Sequence, residues 1–391
     1  FNFLLVVSIA SKRSILFSAD FRNGNDVFFV FRSQHVHGHG IVASCWCAFA
    51  LGQLGRICNV SFNGWIWPYT IGTRSQTKDR EMTINILFSA SSESWEKYKQ
   101  PLRTELDKLE IKYQLGPNFL PEVVDYIIYA PNSELAEFSP FIRCKAVLNL
   151  WAGVENITGN TTLNIPLARM VDYGLTQGMV EWVVGHVMRH HLGIDLQINN
   201  QDGIWRPHVP PLAEDRIITF LGLGVLGTSS GQALRQLGFK VRGWSRQKKS
   251  VDGITCYHGN DGLKYALSGA DFVVLLLPNT PKTENTLNRE TIVLLKKGAV
   301  VINPGRGPLI EDEALLEALD SSQIGHATLD VFRIEPLPET HRFWSHPKIT
   351  VTSHIAAATR PAYSAPVIVE NIRRGENGES FLNLVDRQSG Y

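Results

Sequence analysis

The hydrophobic pattern from position 84 onward alternates between short apolar runs and longer amphipathic stretches. Short apolar runs predict buried strands, whereas apolar positions that recur every three or four residues predict helices. The first part of this region predicts strands over 84–88, 126–129 and 146–150, a helix over 95–109 and a long helix over about 176–192. Strands that alternate with helices indicate a small domain built on a parallel sheet.

A second and longer alternation begins at position 216. Here the apolar runs predict six strands, over 217–221, 240–244, 272–277, 299–303, 327–331 and 349–352. Helical patterns separate most of them, including 231–237, 288–295 and 311–319, and a further helix is predicted over about 362–374. Six strands that alternate with helices are typical of a doubly wound dinucleotide-binding fold.

These patterns predict a Rossmann doubly wound parallel sheet that is inserted into a second, smaller, flavodoxin-like α/β domain. The smaller domain takes residues 82–180 and returns as residues 355–391, and the Rossmann domain takes residues 181–354. Residues 1–81 differ from both, because they are rich in aromatic side chains and poor in acids. We interpret them as a poorly ordered extension or translated upstream sequence, and a targeting presequence is the alternative.

Composition and charge narrow the classes of partner. Hydrophobic residues make up 44% of the chain and charged residues 19%, as in ordinary globular proteins. The formal net charge of +1 gives no sign of a surface for nucleic acid or anionic membranes, so we predict neither partner. The sequence also lacks an uninterrupted apolar stretch of about 18 residues, which argues against a transmembrane helix.

No metal site is predicted from the cysteines and histidines. The five cysteines are scattered, and Cys45 and Cys47 lack the two-residue spacer that is typical of zinc or redox pairs. We therefore expect free thiols in a reducing cytosol, and hence a cytoplasmic protein. His186 and His190 are four residues apart on a predicted helix, but no third ligand is evident, so packed or solvated histidines are favoured. The alternating histidines at 35, 37 and 39 are interpreted as loop residues.

A glycine-rich turn, Gly222-Leu-Gly-Val-Leu-Gly227, lies between a predicted strand and a predicted helix. In a dinucleotide-binding turn, Gly222 would permit the tight turn, Gly224 would let the backbone approach the pyrophosphate, and Gly227 would let helix and strand pack closely. The first helical residues, Val225 and Leu226, would present N–H groups and the positive end of the helix dipole to the phosphates. A purely structural glycine turn is the alternative.

The end of the next predicted strand indicates which nicotinamide cofactor is bound. NAD-dependent enzymes usually place an acid about twenty residues after the glycine turn, where it binds the ribose 2′-hydroxyl. This chain has Trp244-Ser-Arg-Gln-Lys-Lys249 instead, with no acid before Asp252. Ser245 can donate a hydrogen bond to a 2′-phosphate, and Arg246 can clamp it with two N–H groups. We therefore predict NADPH rather than NADH, with an ordinary solvated basic loop as the alternative.

Several motifs after position 82 resemble those of the D-isomer-specific 2-hydroxyacid dehydrogenase family. They are GLGVLG, LLPNTPKT, NPGRG, LDVFRIEPLP, SHPKITVTSHIAAATRP and the closing VDRQSGY. The resemblance is greatest to the glyoxylate/hydroxypyruvate reductase A branch and covers about four-fifths of the chain. Because several independent motifs occur in the family's order, the resemblance is specific.

The resemblance implies a reacting centre of three residues, and the chemistry of each residue suits its role. Arg306 would hold the substrate carboxylate by a two-point ion pair and polarise the 2-oxo group. His354 would act as general acid and give its proton to the carbonyl oxygen as hydride arrives from the nicotinamide. Glu335 would hydrogen-bond His354 and favour its charged form. Taken singly, each could instead be an interior salt-bridge residue.

The resemblance also implies contacts around this centre. The loop that contains Trp151, Ala152 and Gly153 would bind the substrate carboxylate through backbone N–H groups. Trp151 replaces a smaller residue that is common in the wider family, so it would narrow the pocket for a small acid, or else serve only as a packed wall. Pro278 and Asp330 would contact the cofactor, with Asp330 on the nicotinamide side.

Together these expectations predict an enzyme that uses NADPH to reduce small 2-oxo acids such as glyoxylate and hydroxypyruvate. The family resemblance also implies a homodimer. One alternative is another member of the family, for example a 3-phosphoglycerate dehydrogenase. An alternative of a different class is a non-catalytic nucleotide-sensing module, because relatives of this fold serve as transcriptional corepressors and a fold does not by itself give a function.

Overall fold

A computed structural model describes residues 83–390 and, nearer the N-terminus, the backbone of six strands. The chain divides into two units, Phe1–Arg80 and Glu81–Tyr391. In the first unit, four strands form an antiparallel sheet in chain order and two more form an antiparallel pair. They are β1 (Leu4–Ile9), β2 (Arg13–Phe21), β3 (Asp26–Phe31), β4 (Cys47–Ala48), β5 (Ile57–Phe62) and β6 (Trp65–Thr70). Apart from these strands, residues 1–82 lie outside the described residues, so the prediction of poor order in residues 1–81 and the prediction of loop histidines at 35–39 stay predictions.

The second unit contains two parallel sheets, of which the smaller has five strands. Its strand order is β11-β10-β9-β7-β8, which is the order of flavodoxin-like domains. The strands are β7 (Ile84–Ser89), β8 (Tyr113–Gly116), β9 (Tyr126–Tyr129), β10 (Ala146–Asn149) and β11 (Leu167–Ala168). The three predicted strands are confirmed as β7, β9 and β10. The short strands β8 and β11, which flank them at the edges, were not predicted.

The larger sheet has seven parallel strands in the order β14-β13-β12-β15-β16-β17-β18. The strands are β12 (Ile217–Leu221), β13 (Lys240–Ser245), β14 (Thr255–His258), β15 (Phe272–Leu275), β16 (Ala299–Asn303), β17 (Ile324–Leu329) and β18 (Ile349–Val351). This order is the doubly wound Rossmann order with one further strand at its end. The predicted fold class is therefore confirmed, and the partly exposed edge strand β14 is the strand that the hydrophobic pattern missed.

Helices of the described residues connect and cover these strands. They are α1 (Ser92–Leu106), α2 (Glu155–Thr158), α3 (Tyr173–His191), α4 (Ile194–Asn199), α5 (Val225–Gln236), α6 (Gly259–Leu267), α7 (Arg289–Ile292), α8 (Asp312–Asp320) and α9 (Pro361–Glu376). The long helix α3 begins three residues before its predicted start, because the Asp172 side chain caps it by accepting a hydrogen bond from Leu175 N at 2.8 Å. None of the described helices is long and apolar enough to cross a membrane.

The helix near the C-terminus packs on the smaller sheet rather than on the larger one. Ile368 and Ile372 of α9 join Leu102 of α1 in one buried cluster with Ile86 and Ile128 of the sheet. In contrast, α3 places Met179, Val183 and Val187 in a cluster with Ile218 and Phe220 of the larger sheet. The chain therefore leaves the smaller sheet, builds the larger one and returns, as predicted. The boundaries 82–180, 181–354 and 355–391 stay predictions.

A pair of partly buried histidines lies between α3 and the larger sheet. The rings of His190 and His326 lie 4.7 Å apart, and their Nε2 atoms are each 2.9 Å from a threonine hydroxyl, on Thr328 and Thr350 respectively. Burial lowers the pKa of His190 to about 3 and that of His326 to about 4. No group of three potential metal ligands occurs among the described residues. Both imidazoles are therefore neutral packing groups at ordinary pH.

We predict that this pair destabilises the fold in mild acid. In the unfolded chain a histidine binds a proton near pH 6.5, whereas the folded chain resists protonation until pH falls to about 4. Stability should therefore be lost as pH falls from about 6.5 towards 4, by up to about 1.4 kcal/mol per pH unit for each histidine. Denaturant unfolding of His326→Gln should show a shallower dependence on pH. The exposed His258 supplies the control, because His258→Gln should keep the parent's dependence; equal slopes for all three proteins would contradict the prediction.

Candidate active site

The three residues of the predicted reacting centre lie in loops that leave neighbouring strands of the larger sheet. Arg306 follows β16, Glu335 follows β17 and His354 follows β18. Nδ1 of His354 lies 2.7 Å from Oε2 of Glu335. Since a carboxylate only accepts hydrogen bonds, Nδ1 carries the hydrogen and Nε2 remains for a reacting molecule. The imidazole is half exposed, at 50%, so a ligand can reach it.

Hydrogen bonds to Asp330 fix the backbone around His354. This residue is completely buried, and its carboxylate accepts hydrogen bonds from the Thr352 hydroxyl at 2.6 Å, Ile355 N at 2.9 Å and Ala356 N at 2.8 Å. His354 itself has a positive φ of 54° and donates its N–H to the Asp330 carbonyl at 2.9 Å. The sequence-predicted cofactor residue Asp330 therefore organises the histidine loop.

Glu335 is fixed at its other oxygen as well. Its Oε1 accepts a hydrogen bond from Phe332 N at 2.9 Å, while Oε2 faces His354. A carboxylate that is held at one oxygen presents the other in a constant direction, which keeps the imidazole oriented. The structure therefore brings Glu335 and His354 together as predicted.

Arg306 has a carboxylate partner that was not predicted. Its Nε lies 2.9 Å and its Nη2 3.4 Å from the two carboxylate oxygens of Glu155, at the start of α2. Its Nη1 donates to the Gly305 carbonyl at 2.7 Å. The Arg306 side chain is partly exposed, at 30%. The pair joins the loop after β16 of the larger sheet to the loop after β10 of the smaller one.

Two asparagines that were not predicted shape the loops on the two sides of this pair. The buried Asn149, at the end of β10, donates from Nδ2 to the carbonyls of Trp151 at 2.8 Å and Gly153 at 2.9 Å. Asn303, at the end of β16, likewise donates to the Arg306 carbonyl at 2.9 Å. Each is the last residue of a buried strand and precedes a glycine within four residues, and this is the signal that could have identified them.

The predicted substrate loop follows β10 directly. Trp151 is 43% exposed, whereas Ala152 and Gly153 are partly buried. The Trp151 carbonyl also accepts a hydrogen bond from Met170 N at 3.0 Å, which ties the loop to the segment after β11. The loop is thus a fixed turn beside the Arg306 guanidinium, with an accessible indole ring.

The glycine-rich turn has the features of a phosphate cradle. Gly222 has a φ of 110°, and a Cβ there would lie 2.5 Å from the Leu276 carbonyl oxygen, so only glycine fits. Helix α5 begins at Val225 without a side-chain cap among the described residues, so the first N–H groups, including those of Val225 and Leu226, are left for a ligand. A Cβ at Gly224 would meet no described atom within 4 Å, so the space in front of the helix is open. These features fit a dinucleotide pyrophosphate.

The end of β13 carries basic residues near this turn. The Ser245 hydroxyl donates to the Gln247 carbonyl at 2.7 Å, and Arg246 is exposed. Lys249, which was not singled out from the sequence, reaches back to donate to the Leu223 carbonyl at 2.6 Å, so it stands beside the glycine turn. Ser389 hydrogen bonds hold the pKa of Asp386 below its usual range, and the charge of Arg246 contributes to this. The predicted cofactor residue Pro278 is partly buried and accepts a hydrogen bond from the Thr283 hydroxyl at 2.6 Å.

This arrangement can perform two tasks at one crevice. A phosphate cradle and basic residues lie at the carboxyl ends of β12 and β13, where parallel α/β sheets bind their ligands. A carboxylate-held imidazole and an arginine lie at the corresponding ends of β16, β17 and β18. The first set suits a phosphorylated dinucleotide, and the second suits proton transfer to an anionic substrate.

Comparison with known proteins agrees with this arrangement. The sequence profile of the family described as "D-isomer specific 2-hydroxyacid dehydrogenase, NAD binding domain" matches residues 183–356. The chain is 38% identical over 276 residues to glyoxylate/hydroxypyruvate reductase A of Yersinia enterocolitica, which covers 68% of this chain and 88% of that protein.

Solved structures extend the similarity to about four-fifths of the chain. A D-isomer specific 2-hydroxyacid dehydrogenase from Xanthobacter autotrophicus, solved in complex with NADPH and MES, matches with a TM-score of 0.74 and 35% identity over 79% of this chain and 100% of its own. An NADPH-dependent glyoxylate/hydroxypyruvate reductase from Sinorhizobium meliloti, in complex with NADP and sulfate, matches with a TM-score of 0.70 and 30% identity over 79% of this chain and 99% of its own. The chain therefore belongs to the D-isomer specific 2-hydroxyacid dehydrogenase family.

Proposed function

We propose that this protein reduces small 2-oxo acids, such as glyoxylate and hydroxypyruvate, to 2-hydroxy acids with NADPH. The observation that carries the proposal is the His354–Glu335 pair at 2.7 Å, which lies in the same row of strand ends as Arg306. A relative of 38% identity is named a glyoxylate/hydroxypyruvate reductase, which supports this substrate class. The complexes of two structural relatives with NADPH or NADP support the choice of cofactor.

In the proposed mechanism, Arg306 binds the negative charge of the substrate, and His354 donates the proton that the reduction requires. When bound, the nicotinamide supplies a hydride to the 2-oxo carbon. Arg306 binds the carboxylate through N–H groups, and its positive charge polarises the neighbouring 2-oxo group. His354 gives the proton on Nε2 to the carbonyl oxygen, which stays bonded to the carbon and becomes the hydroxyl of the 2-hydroxy acid. Glu335 accepts a hydrogen bond from Nδ1 throughout, which keeps the ring oriented.

The cofactor would be held by groups at the ends of β12, β13 and β15. The N–H groups of Gly224, Val225 and Leu226 would bind the pyrophosphate, with Gly222 and Gly227 shaping the turn. Ser245 and Arg246 would bind the 2′-phosphate, and the nearby Lys249 adds a third group of suitable charge. We also propose that Pro278 and Asp330 line the nicotinamide end of the site.

The substrate pocket would be lined by the loop after β10. We propose that backbone N–H groups of Trp151, Ala152 and Gly153 face the substrate carboxylate. The exposed indole of Trp151 would narrow the pocket, which favours acids with few carbon atoms. This size limit supports a glyoxylate or hydroxypyruvate reductase over a family member that acts on a phosphorylated acid.

We also propose a cytoplasmic homodimer. The support for the dimer is a run of exposed apolar side chains in the segment after α3, including Ile198 at 62%, Val209 at 88% and Trp205 at 92%. Such a concentration of exposed apolar surface is typical of interfaces. The cytoplasmic location rests on the pattern of cysteines alone and stays a prediction.

Cofactor preference tests the proposed function directly. We expect the parent enzyme to oxidise NADPH when glyoxylate is added, and to prefer NADPH over NADH in kcat/KM by about tenfold or more, because a phosphate clamp contributes about 1.4 kcal/mol or more. Arg246→Asp should reverse the preference, because an acid repels the 2′-phosphate and binds a 2′-hydroxyl. Absence of turnover with any small 2-oxo acid would contradict the function. Equal efficiency with both cofactors in the parent would contradict the cofactor assignment.

The role of Glu335 can be tested by comparing kcat with the affinity for NADPH. Glu335 lies 2.7 Å from Nδ1 of His354, and Glu335→Ala removes this hydrogen-bond acceptor, so the imidazole loses its fixed orientation. We expect kcat to fall by roughly 10²-fold, because a misplaced catalytic group reacts more slowly, while NADPH still binds. His354→Ala serves as the control, since its kcat should fall by roughly 10²–10⁴ while NADPH still binds. A kcat of Glu335→Ala equal to that of the parent would exclude this role.

The dimer can be tested by light scattering after size exclusion. Among residues 83–390, Trp205 is the most exposed of the large apolar side chains. Trp205→Ser removes it, so we expect this variant to weaken the dimer and to shift the protein towards the monomer on dilution. The matched control is Tyr265→Ser, because Tyr265 is 65% exposed on α6. A monomeric parent, or a variant that dimerises as tightly as the parent, would refute the proposed interface.

A further inference from the structure

The pair formed by Arg306 and Glu155 uses one particular edge of the guanidinium. Nε and Nη2 of Arg306 lie 2.9 and 3.4 Å from the two oxygens of Glu155. Nε and Nη2 form the side edge of the group, so Glu155 holds Arg306 from the side. The Glu155 side chain is itself partly buried, at 26% exposure, and Glu155 is the first residue of the short helix α2. The pair is therefore built into the crevice and is not a contact between two freely moving surface side chains.

The remaining N–H groups of Arg306 can be counted. A guanidinium has five N–H donors in a fixed fork. Two face Glu155, and a third, on Nη1, goes to the Gly305 carbonyl at 2.7 Å. The two that remain, one on Nη1 and one on Nη2, have no partner among residues 83–390. These two nitrogens form the end edge of the group, and a planar carboxylate binds such an edge at two points.

We propose that Glu155 is a positioning residue that locks Arg306 so that only its end edge is offered to the substrate carboxylate. The inference rests on the proposed function and adds a residue to it. A free arginine side chain has many rotamers, and their loss on binding costs affinity. Glu155 removes this cost in advance, because the guanidinium is already oriented before the substrate arrives.

Gly153 supplies the space that this arrangement needs. A Cβ at this position would collide with Nη2 of Arg306 and would lie 2.7 Å from Oε2 of Glu155. Any side chain at position 153 would therefore push the guanidinium away from its partner. Glu155 attracts the guanidinium, and Gly153 leaves the space that the guanidinium occupies. A change at either residue should therefore displace Arg306 and weaken substrate binding.

The variant Glu155→Gln separates positioning from simple electrostatics, because the two effects have opposite signs. Removal of a negative charge close to a substrate anion should by Coulomb's law strengthen binding and lower KM. Loss of the lock should weaken binding, and we expect KM for glyoxylate to rise about tenfold or more, with a smaller change in kcat. The inhibition constant of oxamate, a non-reactive 2-oxo acid mimic, should rise by a similar factor. NADPH affinity should not change.

Two further variants and a matched control complete the test. Glu155→Asp keeps the charge and should give a KM between those of the parent and Glu155→Gln. Gly153→Ala should raise KM like Glu155→Gln, and it serves as the test if Glu155→Gln does not fold. The control is Glu317→Gln, because Glu317 binds Arg289 through the same Nε and Nη2 edge, at 2.9 and 2.5 Å, on α7 and α8 away from the crevice. It should leave both kinetic constants unchanged.

A double-mutant cycle shows whether Glu155 acts through Arg306. In Arg306→Lys the fork is gone, so adding Glu155→Gln should have little further effect on KM. A full additional loss on that background would overturn the inference, as would an unchanged or lower KM in Glu155→Gln within an active parent. A parent without any turnover of 2-oxo acids would instead overturn the proposed function itself, and the inference with it.

Discussion

The buried carboxylate of Asp330 fixes the part of the structure on which the proposed chemistry depends. Burial of a carboxylate is unfavourable unless its oxygens are hydrogen-bonded, and here the donors are one hydroxyl and two backbone N–H groups. All three belong to residues 352–356, so the anion determines the path of the loop that carries His354. A non-glycine residue keeps a positive φ only where its surroundings impose it, and His354 has a φ of 54°. The contact between His354 and Glu335 therefore depends on Asp330.

The same residue connects the histidine to the arginine through the backbone. Asp330 N donates to the Asn303 carbonyl at 3.0 Å, and the Asn303 side chain in turn donates to the Arg306 carbonyl at 2.9 Å. Because β16, β17 and β18 are parallel neighbours, their carboxyl ends lie side by side and each loop begins at the same edge. Hydrogen bonds thus link Arg306, Asp330 and His354, although Arg306 and His354 are nearly fifty positions apart in sequence. The register of the sheet sets the spacing between the loops, and the short hydrogen bonds set the orientation of the side chains that the loops carry.

Much of this could be predicted from the sequence, because long buried strands and motifs in a fixed order are strong signals. The interior strands and the pairing of Glu335 with His354 are examples. The edge strands β8, β11 and β14 were missed. The strands β8 and β14 have four residues each and are largely exposed or partly buried, and the buried strand β11 has only two residues, so none of them leaves a clear hydrophobic pattern. The partnership of Glu155 with Arg306 was missed for another reason. It joins two loops that are 151 positions apart, and only the packing of one sheet beside the other brings them together.

Two anions, a dinucleotide and an oxo acid, must enter one crevice of a chain whose formal net charge is only +1. In the proposed site, two local cations supply the positive charge that the net charge does not, with Arg306 at the substrate and Arg246 at the 2′-phosphate of the cofactor. Each cation lies near an acid from a segment of the smaller sheet, Glu155 after β10 in the first case and Asp386 near the C-terminus in the second. Glu155 stabilises the charge of Arg306 before a ligand arrives, and it occupies the side edge of the guanidinium. Selectivity at Arg306 then depends on the end edge that remains, which matches one planar carboxylate.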